Sequence, residues 1–255
     1  MRLSVVIITR NEESNIGRTL ASVTWADERI VVDSGSTDRT LEIAREQGAK
    51  VFQEPWKGYA QQKNSAIAKA SGDWLLSIDA DEEVSSELGE SIRQVIGNGT
   101  PSIAGYFIAR RNLFLGRWIR HGGFYPDRKL RLFRRGKGEF VERAVHETMR
   151  VDGATAELTG DLIHHAYPTL TGYLETMNRY SSLGAEVAVQ KGQVSQSLPS
   201  FFWNIRVRPT VNFIWNYFFR AGFLDGREGF LLHLYHHGYV SWKYAKAWEA
   251  KREKR

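Results

Sequence analysis

Three apolar runs limit what this chain can fold into. They are S-V-V-I-I-T at 4–9, R-I-V-V-D at 29–33 and W-L-L-S-I at 74–78. Runs with so little polar alternation read as strands buried on both faces, the habit of parallel sheets. Each run ends in polar residues: T-R-N-E-E after the first, D-S-G-S-T-D after the second and D-A-D-E after the third. Helical stretches lie between them. The pattern predicts a helix over 14–23 capped by Ser14. A second, over 39–48, is capped by Thr37 or Asp38 and closed by Gly48, and a third covers 58–71. Residues 50–53 add a short strand. Strand and helix in alternation predict an α/β fold with a parallel sheet and right-handed crossovers. Ligands of such sheets bind beyond the C-terminal strand ends, where the polar clusters fall.

After residue 83 the order changes. A helix is expected over 85–96, strands over 105–111 and 129–135, short strands and turns over 141–165, and a helix over 171–190. The chain has 255 residues, enough for one large domain with an appendage or for two small ones. It has no cysteine, which excludes disulfides, thiolate metal sites and cysteine nucleophiles. Residues 1–9 have too little apolar length for a signal peptide and read as a core strand. No apolar run approaches the ~18 residues of a spanning helix. The net charge is +6, with basic residues crowding 110–150 and the last dozen positions. Both a solvated surface and an anionic partner fit that crowding.

Asp79 and Asp81, with Glu82 beside them, follow the third strand. Carboxylates this close repel unless a cation lies between them. Hard oxygen ligands that leave sites open suit Mg²⁺ or Mn²⁺ bridging a diphosphate. The plainer alternative is a turn that caps the next helix. Asp33 ends the second strand on the same sheet edge, where a carboxylate can accept from a base N–H or a ribose hydroxyl. Ser34, Gly35 and Ser36 let backbone come close. A helix-capping turn accounts for that segment equally.

The segments V-V-I-I-T-R-N-E-E-S-N-I, I-V-V-D-S-G-S-T-D-R-T, G-Y-A-Q-Q-K-N-S-A-I and W-L-L-S-I-D-A-D-E-E, in this order, resemble the nucleotide-binding half of family 2 inverting glycosyltransferases. H-G-G-F-Y-P-D-R-K-L-R-L-F-R-R, V-H-E, L-I-H-H-A-Y and G-F-L-D-G-R-E-G-F are similar to segments of the lipopolysaccharide inner-core β-1,4-glucosyltransferases. The resemblance implies the GT-A fold, a Rossmann-like α/β architecture. Its mostly parallel central sheet is flanked by helices and here carries a C-terminal helical, aromatic and basic extension. It implies a catalytic domain over 1–195, with a nucleotide-sugar half over 1–100 and an acceptor half over 101–195, and the extension over 196–255.

Residue roles follow from the same resemblance. Thr9, Asn11 and Glu12 line the nucleotide pocket with Asp33, Ser34 and Gly35. Lys63 and Asn64 lie near the diphosphate. Asp79 and Ala80 contact ribose or sugar, and Asp81 holds the metal, with His164 as a further ligand ahead of His146 and His165. The base that takes the acceptor's proton is expected at Glu147, with Glu142 and Asp127 behind it. Arg128 and Arg131 join the nucleotide-sugar pocket. With Arg134 they are expected on one strand face, open to phosphates or merely solvated. The implied reaction moves a hexose, glucose foremost, from a UDP-sugar to a lipopolysaccharide core or another lipid-linked or protein acceptor. Its expected place is the cytoplasmic face of a bacterial inner membrane. A non-catalytic nucleotide-sugar-binding scaffold is the alternative of another class. The tail at 201–248 interleaves aromatic and basic residues. It either packs on the catalytic domain or lies on an anionic bilayer. Nucleic acid is not an expected partner, because no binding motif for it is present.

Overall fold

The computed structural model describes residues 1–98, 102–142 and 148–252. They form two compact units, Met1–Arg111 with Asp127–His164, and Asn112–Pro126 with His165–Arg255. The sequence reading divides the chain at residue 195. By compactness, the helix that precedes that point groups with the C-terminal residues.

The first unit opens with β1 (Leu3–Thr9), α1 (Ile16–Ala21), β2 (Glu28–Asp33), α2 (Thr40–Glu46), β3 (Lys50–Gln53), α3 (Tyr59–Ala68) and β4 (Trp74–Asp79). These strands run parallel in the order β3-β2-β1-β4. Successive side chains of β1 point to opposite faces and each face is covered. Val5 and Ile7 join Ile16, Leu20 and Leu76 in one cluster, while Val6 joins Ile30, Val32, Leu75 and Ala66 in another. Each such side chain, fully buried, contributes about 1.5–3 kcal/mol. Ser14 does not cap α1; Asn15 holds that position without a side-chain bond. At α2 it is Asp38, not Thr37, that accepts from the first helical amide, Thr40, at 3.0 Å.

The unit continues through β5 (Glu82–Val84), α4 (Ser86–Asn98), β6 (Ile103–Phe114), β8 (Asp127–Arg134), β9 (Gly138–Val141), β10 (Thr148–Val151) and β11 (Ala154–Tyr167); the end of β6 past Arg111 and its partner β7 (Arg117–Trp118) group with the second unit. β8 lies antiparallel to β4, and β6, β11 and β5 follow outward. The short strands expected over 141–165 give way to the hairpin β9-β10 and the single 14-residue β11. Gly160 lies within this strand. It has φ +85°, and a Cβ there would sit 2.3 Å from the Leu88 amide of α4. Only glycine lets the strand pass so close.

Glu28 ties three segments together. Its carboxylate accepts from Ser4 Oγ at 2.5 Å and the Ser71 amide at 2.9 Å, and meets Lys50 Nζ at 2.8 Å. Burial alone raises its pKa, but Lys50 and the Ser4 and Ser71 bonds outweigh it and hold the group at about 2. The unfolded chain therefore binds this proton more tightly, and the contribution to stability is complete above about pH 4.5 and lost as pH falls toward 2. Glu28→Gln is expected to cost about 2–3 kcal/mol near neutrality, and the gap to the parent should close in acid. Urea unfolding at several pH values measures this; equal stability at neutral pH would remove the argument.

The second unit is helical: α5 (Leu170–Gln190), α6 (Leu198–Phe202), α7 (Arg208–Ile214) and α8 (Gly226–Arg252). Thr169 caps α5 by accepting from the Gly172 amide, and Ser197 and Ser200 form a capping box on α6. Phe114, Ile119, Tyr173, Met177 and Leu232 make its core. Two late motifs meet within it. Buried Asp225, of G-F-L-D-G, accepts from the His121 amide at 2.8 Å and pairs with His121 Nδ1 at 2.9 Å, at the start of H-G-G-F-Y-P.

Candidate functional site

Register brings the expected polar clusters together. Thr9 lies opposite Asp33, and Ile8 opposite Asp79, at the C-terminal edge of the parallel strands. The Thr9 hydroxyl is buried with no partner among the described residues. Buried hydroxyls are rarely left so, and a ligand at this edge would satisfy it. Asp33 is fully buried. Its carboxylate accepts from the amides of Gly35 and Ser36 and from the Ser36 hydroxyl, so in this structure it shapes the D-S-G-S turn. Asn11 takes a left-handed backbone, φ 56°, and its Oδ1 accepts from the Thr37 amide at 2.8 Å. Ser34 donates to the Thr9 carbonyl. The turns after β1 and β2 are thereby locked to each other.

Beneath the D-x-D segment lies a charge network. Lys63 Nζ is 2.8 Å from Asp79 Oδ1, and Arg131 Nη2 is 2.5 Å from Asp79 Oδ2 and 2.7 Å from Glu82 Oε1. Arg110 bridges Glu82 at 3.3 Å and Asp127 at 2.5 Å. Three cations thus meet three carboxylates, and Lys129 reaches Asp127 from solvent. Burial alone would raise the Asp79 pKa, but Arg131 and Lys63 hold it well below the usual carboxylate range. Glu82 is 0% exposed and also accepts from the Asp79 amide. It is a strut and not a third metal-facing acid.

Arg128, Arg131 and Arg134 do not share a face: they are three apart, and side chains alternate face at every residue of a strand. Tyr106 pairs with Leu132 while Phe107 pairs with Leu130, which leaves Arg131 as the extra residue of a β-bulge. The bulge turns Arg131 into the network. Arg128 instead pairs with Glu157 at 2.8 Å, and Arg134 donates to the Ile103 carbonyl and lies over the Trp74 ring. Asn64 is also taken up. Its side-chain amide exchanges two bonds of 2.8 Å with the Phe140 backbone, pinning β9 to α3. Ala80 is buried, and its carbonyl accepts from Thr19.

Asp81 faces His164, with Oδ2 to Nε2 at 3.3 Å. Burial lowers the His164 pKa, but Asp81 outweighs it and the net shift is upward. Glu12 is half-buried close by. Burial is the main cause of its raised pKa, and Asp81, Asp38 and Asp79 push in the same direction. Glu12 and Asp81 together make a negative spot suited to a cation. Among the described residues no three His, Asp or Glu side chains form a complete metal cage. A carboxylate plus an imidazole fits an ion whose other ligands are phosphate oxygens and water.

Of the base candidates, Asp127 is held ionised. Burial opposes this, but Arg110 and then Lys129 lower its pKa, and such a carboxylate is a poor proton acceptor. Glu142 is exposed, with an oxygen 3.0 Å from where a Cβ on Gly58 would lie. Glu147 and His146 lie outside the described residues, and His165 falls in the second unit. Sequence reasoning missed Arg110 and the strut role of Glu82. The signal is the pairing of Arg110 with Asp127 across β6 and β8, which only strand register reveals.

Residues 4–158 match the family model described as Glycosyl transferase family 2. The chain is 31% identical over 236 residues to the lipopolysaccharide core biosynthesis glycosyltransferase LpsC of Rhizobium meliloti (strain 1021), covering 90% of this chain and 85% of that one. It is 33% identical over 246 residues to an uncharacterized glycosyltransferase of Rickettsia typhi, covering 90% and 81%. Among solved structures, the mannosyltransferase PcManGT from Pyrobaculum calidifontis, in complex with GDP-Man and Mn²⁺, aligns with TM-score 0.55 at 17% identity, over 96% of this chain and 86% of that one. At that identity the likeness is one of fold, the GT-A arrangement.

Proposed function

This chain belongs to glycosyl transferase family 2 and is a glycosyltransferase; from that premise we propose that it transfers a hexose, glucose foremost, with inversion from a UDP-sugar to a lipopolysaccharide core acceptor. The observation that carries the reading is the meeting of Asp79, Asp81 and His164 with the orphaned Thr9 hydroxyl at one sheet edge. The name of LpsC supports the acceptor class. The proposed place of work is the cytoplasmic face of a bacterial inner membrane, in peripheral contact with its anionic lipid.

In this reading Thr9, Asn11, Glu12 and the Asp33–Gly35 turn receive the nucleoside. Lys63 and Arg131 fix the Asp79 carboxylate in one orientation toward ribose or sugar, so little ordering is left for the reaction itself. Asp81 and His164 would hold a divalent ion, which supplies Lewis-acid neutralisation of the departing diphosphate. An imidazole–carboxylate pair favours Mn²⁺ over the all-oxygen preference of Mg²⁺. Glu147 is assigned as base by the V-H-E resemblance, and the ionised state of Asp127 supports passing over that residue.

The test is a thermal-shift panel of UDP, GDP, ADP and CMP, each with and without Mn²⁺. UDP at about a hundredfold excess over its Kd should raise Tm by about 5–10 °C, and only with the ion. A UDP shift indifferent to Mn²⁺ would remove the metal assignment. A shift for GDP alone would replace the donor, and none for any nucleotide would overturn the UDP-sugar reading.

A further inference from the structure

Residues 198–224 carry an apolar face that nothing covers among the described residues. Trp203, Val207, Val211, Trp215 and Phe219 are spaced by four and all exposed, Trp215 at 56% and Phe219 at 72%. Ile214 and Phe218 widen this row, and Leu198 and Phe202 extend it. An α-helix turns once in 3.6 residues, so a row spaced by four drifts around it. Here α6 and α7 alternate with two π-helical segments, Trp203–Val207 and Trp215–Phe219. Their wider i→i+5 turns drift the opposite way. The alternation cancels the drift and keeps the row in line; the Trp215 and Phe219 rings stack at 5.5 Å. The other side of the segment is packed within its own unit. Pro209 is buried, and Thr210 Oγ1 lies 3.3 Å from His237 Nε2. Single exposed apolar residues are ordinary, but a continuous aromatic face marks an interaction surface.

Charge says what kind. Positions 187–224 contain no Asp or Glu, but do contain Lys191, Arg206, Arg208 and Arg220. Arg206 and Arg220 are exposed. Beside Leu198 a cleft lined by Ser195, Phe201 and Trp248 adds Lys251 and Arg252. Residues 196–255 hold ten Lys or Arg against four Asp or Glu, so this segment accounts for the whole net charge of +6. Aromatic and aliphatic residues on one face, arginines at its margin and no acid are the composition of a helix lying in a bilayer interface. A second copy would bring the same arginines against one another. No described helix is long and apolar enough to cross a membrane, so the contact is in-plane.

We infer that this face docks into the headgroup layer of an anionic phospholipid bilayer. Trp203, Val207, Val211, Trp215 and Phe219 insert, and Arg206 and Arg220 meet lipid phosphates. The inference deepens the membrane contact proposed above by naming its surface, and its test uses neither nucleotide nor activity. The full chain is sedimented with vesicles of phosphatidylglycerol and phosphatidylcholine in equal parts, and with phosphatidylcholine alone. Binding is expected to the mixed vesicles at low salt. Acyl-brominated lipid should quench tryptophan emission there, and less so in Trp215→Phe.

The double variant Trp215→Ser, Phe219→Ser should lose about tenfold or more in partitioning. Arg206→Gln and Arg220→Gln should each lose about fivefold, on the anionic vesicles only. Trp56→Ser, an exposed aromatic of the other unit, should bind as the parent does. Protein that stays in the supernatant with both vesicles overturns the inference. So does a double variant that binds undiminished, or a vesicle-free dimer that the double variant abolishes while no vesicle is bound. A cooperative thermal unfolding transition in the double variant, at the parent's Tm, shows that it folds and keeps this result separate from the transferase reading.

Discussion

Arg131→Met is expected to cost about 3–5 kcal/mol of folding stability, the usual result of removing one partner from a buried ion pair. Arg131 is 5% exposed and stands between Asp79 and Glu82. Without it Glu82, with no exposed surface, keeps the Asp79 amide but one cation only, Arg110 at the longer distance of 3.3 Å. Asp79 keeps Lys63 and loses its second cation. Methionine fills much the same volume, so the loss is electrostatic. Urea unfolding, followed for the first unit's transition, is the measurement. Arg128→Met is the control, since Arg128 and Glu157 are both exposed and surface pairs contribute about 0–1 kcal/mol. If the two variants unfolded alike, the three-against-three network would not be the element that fixes β8 to β4.

Asp81→Asn is expected to lower turnover by about 10³-fold with little change in stability. The substitution keeps size and shape, and it removes a charge from a mouth that Glu12 already crowds. A bound cation stabilises developing diphosphate charge by several kcal/mol, and about 4 kcal/mol corresponds to that factor. The loss belongs mainly in kcat, because that charge builds in the transition state. The second readout is the UDP thermal shift, which should no longer respond to Mn²⁺. Full turnover by Asp81→Asn, or an unchanged response to the ion, would sink the assignment of Asp81.

The strands that position the site were legible because buried parallel strands are written as apolar runs. β1, β2 and β4 need no knowledge of their neighbours to be found. The D-x-D segment was legible for the same reason, standing where such a run stops. What escaped depends on residues far apart in sequence. Arg128, Arg131 and Arg134 are three apart, so alternation itself sets Arg131 opposite the other two, and nothing local announces the residue that the bulge in β8 inserts there. Asn64 reads as a polar helix residue until β9 arrives to take both ends of its amide. Glu82 reads as a third acid of the cluster, but its pairing with β11 turns it inward. β11 runs unbroken through Gly160, whose missing side chain gives clearance from α4, a neighbour some seventy residues earlier in the chain.

The reach of β11 has a consequence for how such enzymes are catalogued and cut. The match to the family model ends at residue 158, but the imidazole facing Asp81 is at 164, further along the same strand. A fragment trimmed to the matched span would retain the four motifs of the nucleotide half and discard His164, the partner of Asp81. In this protein the matched span ends six residues before the imidazole that Asp81 faces, on one and the same strand.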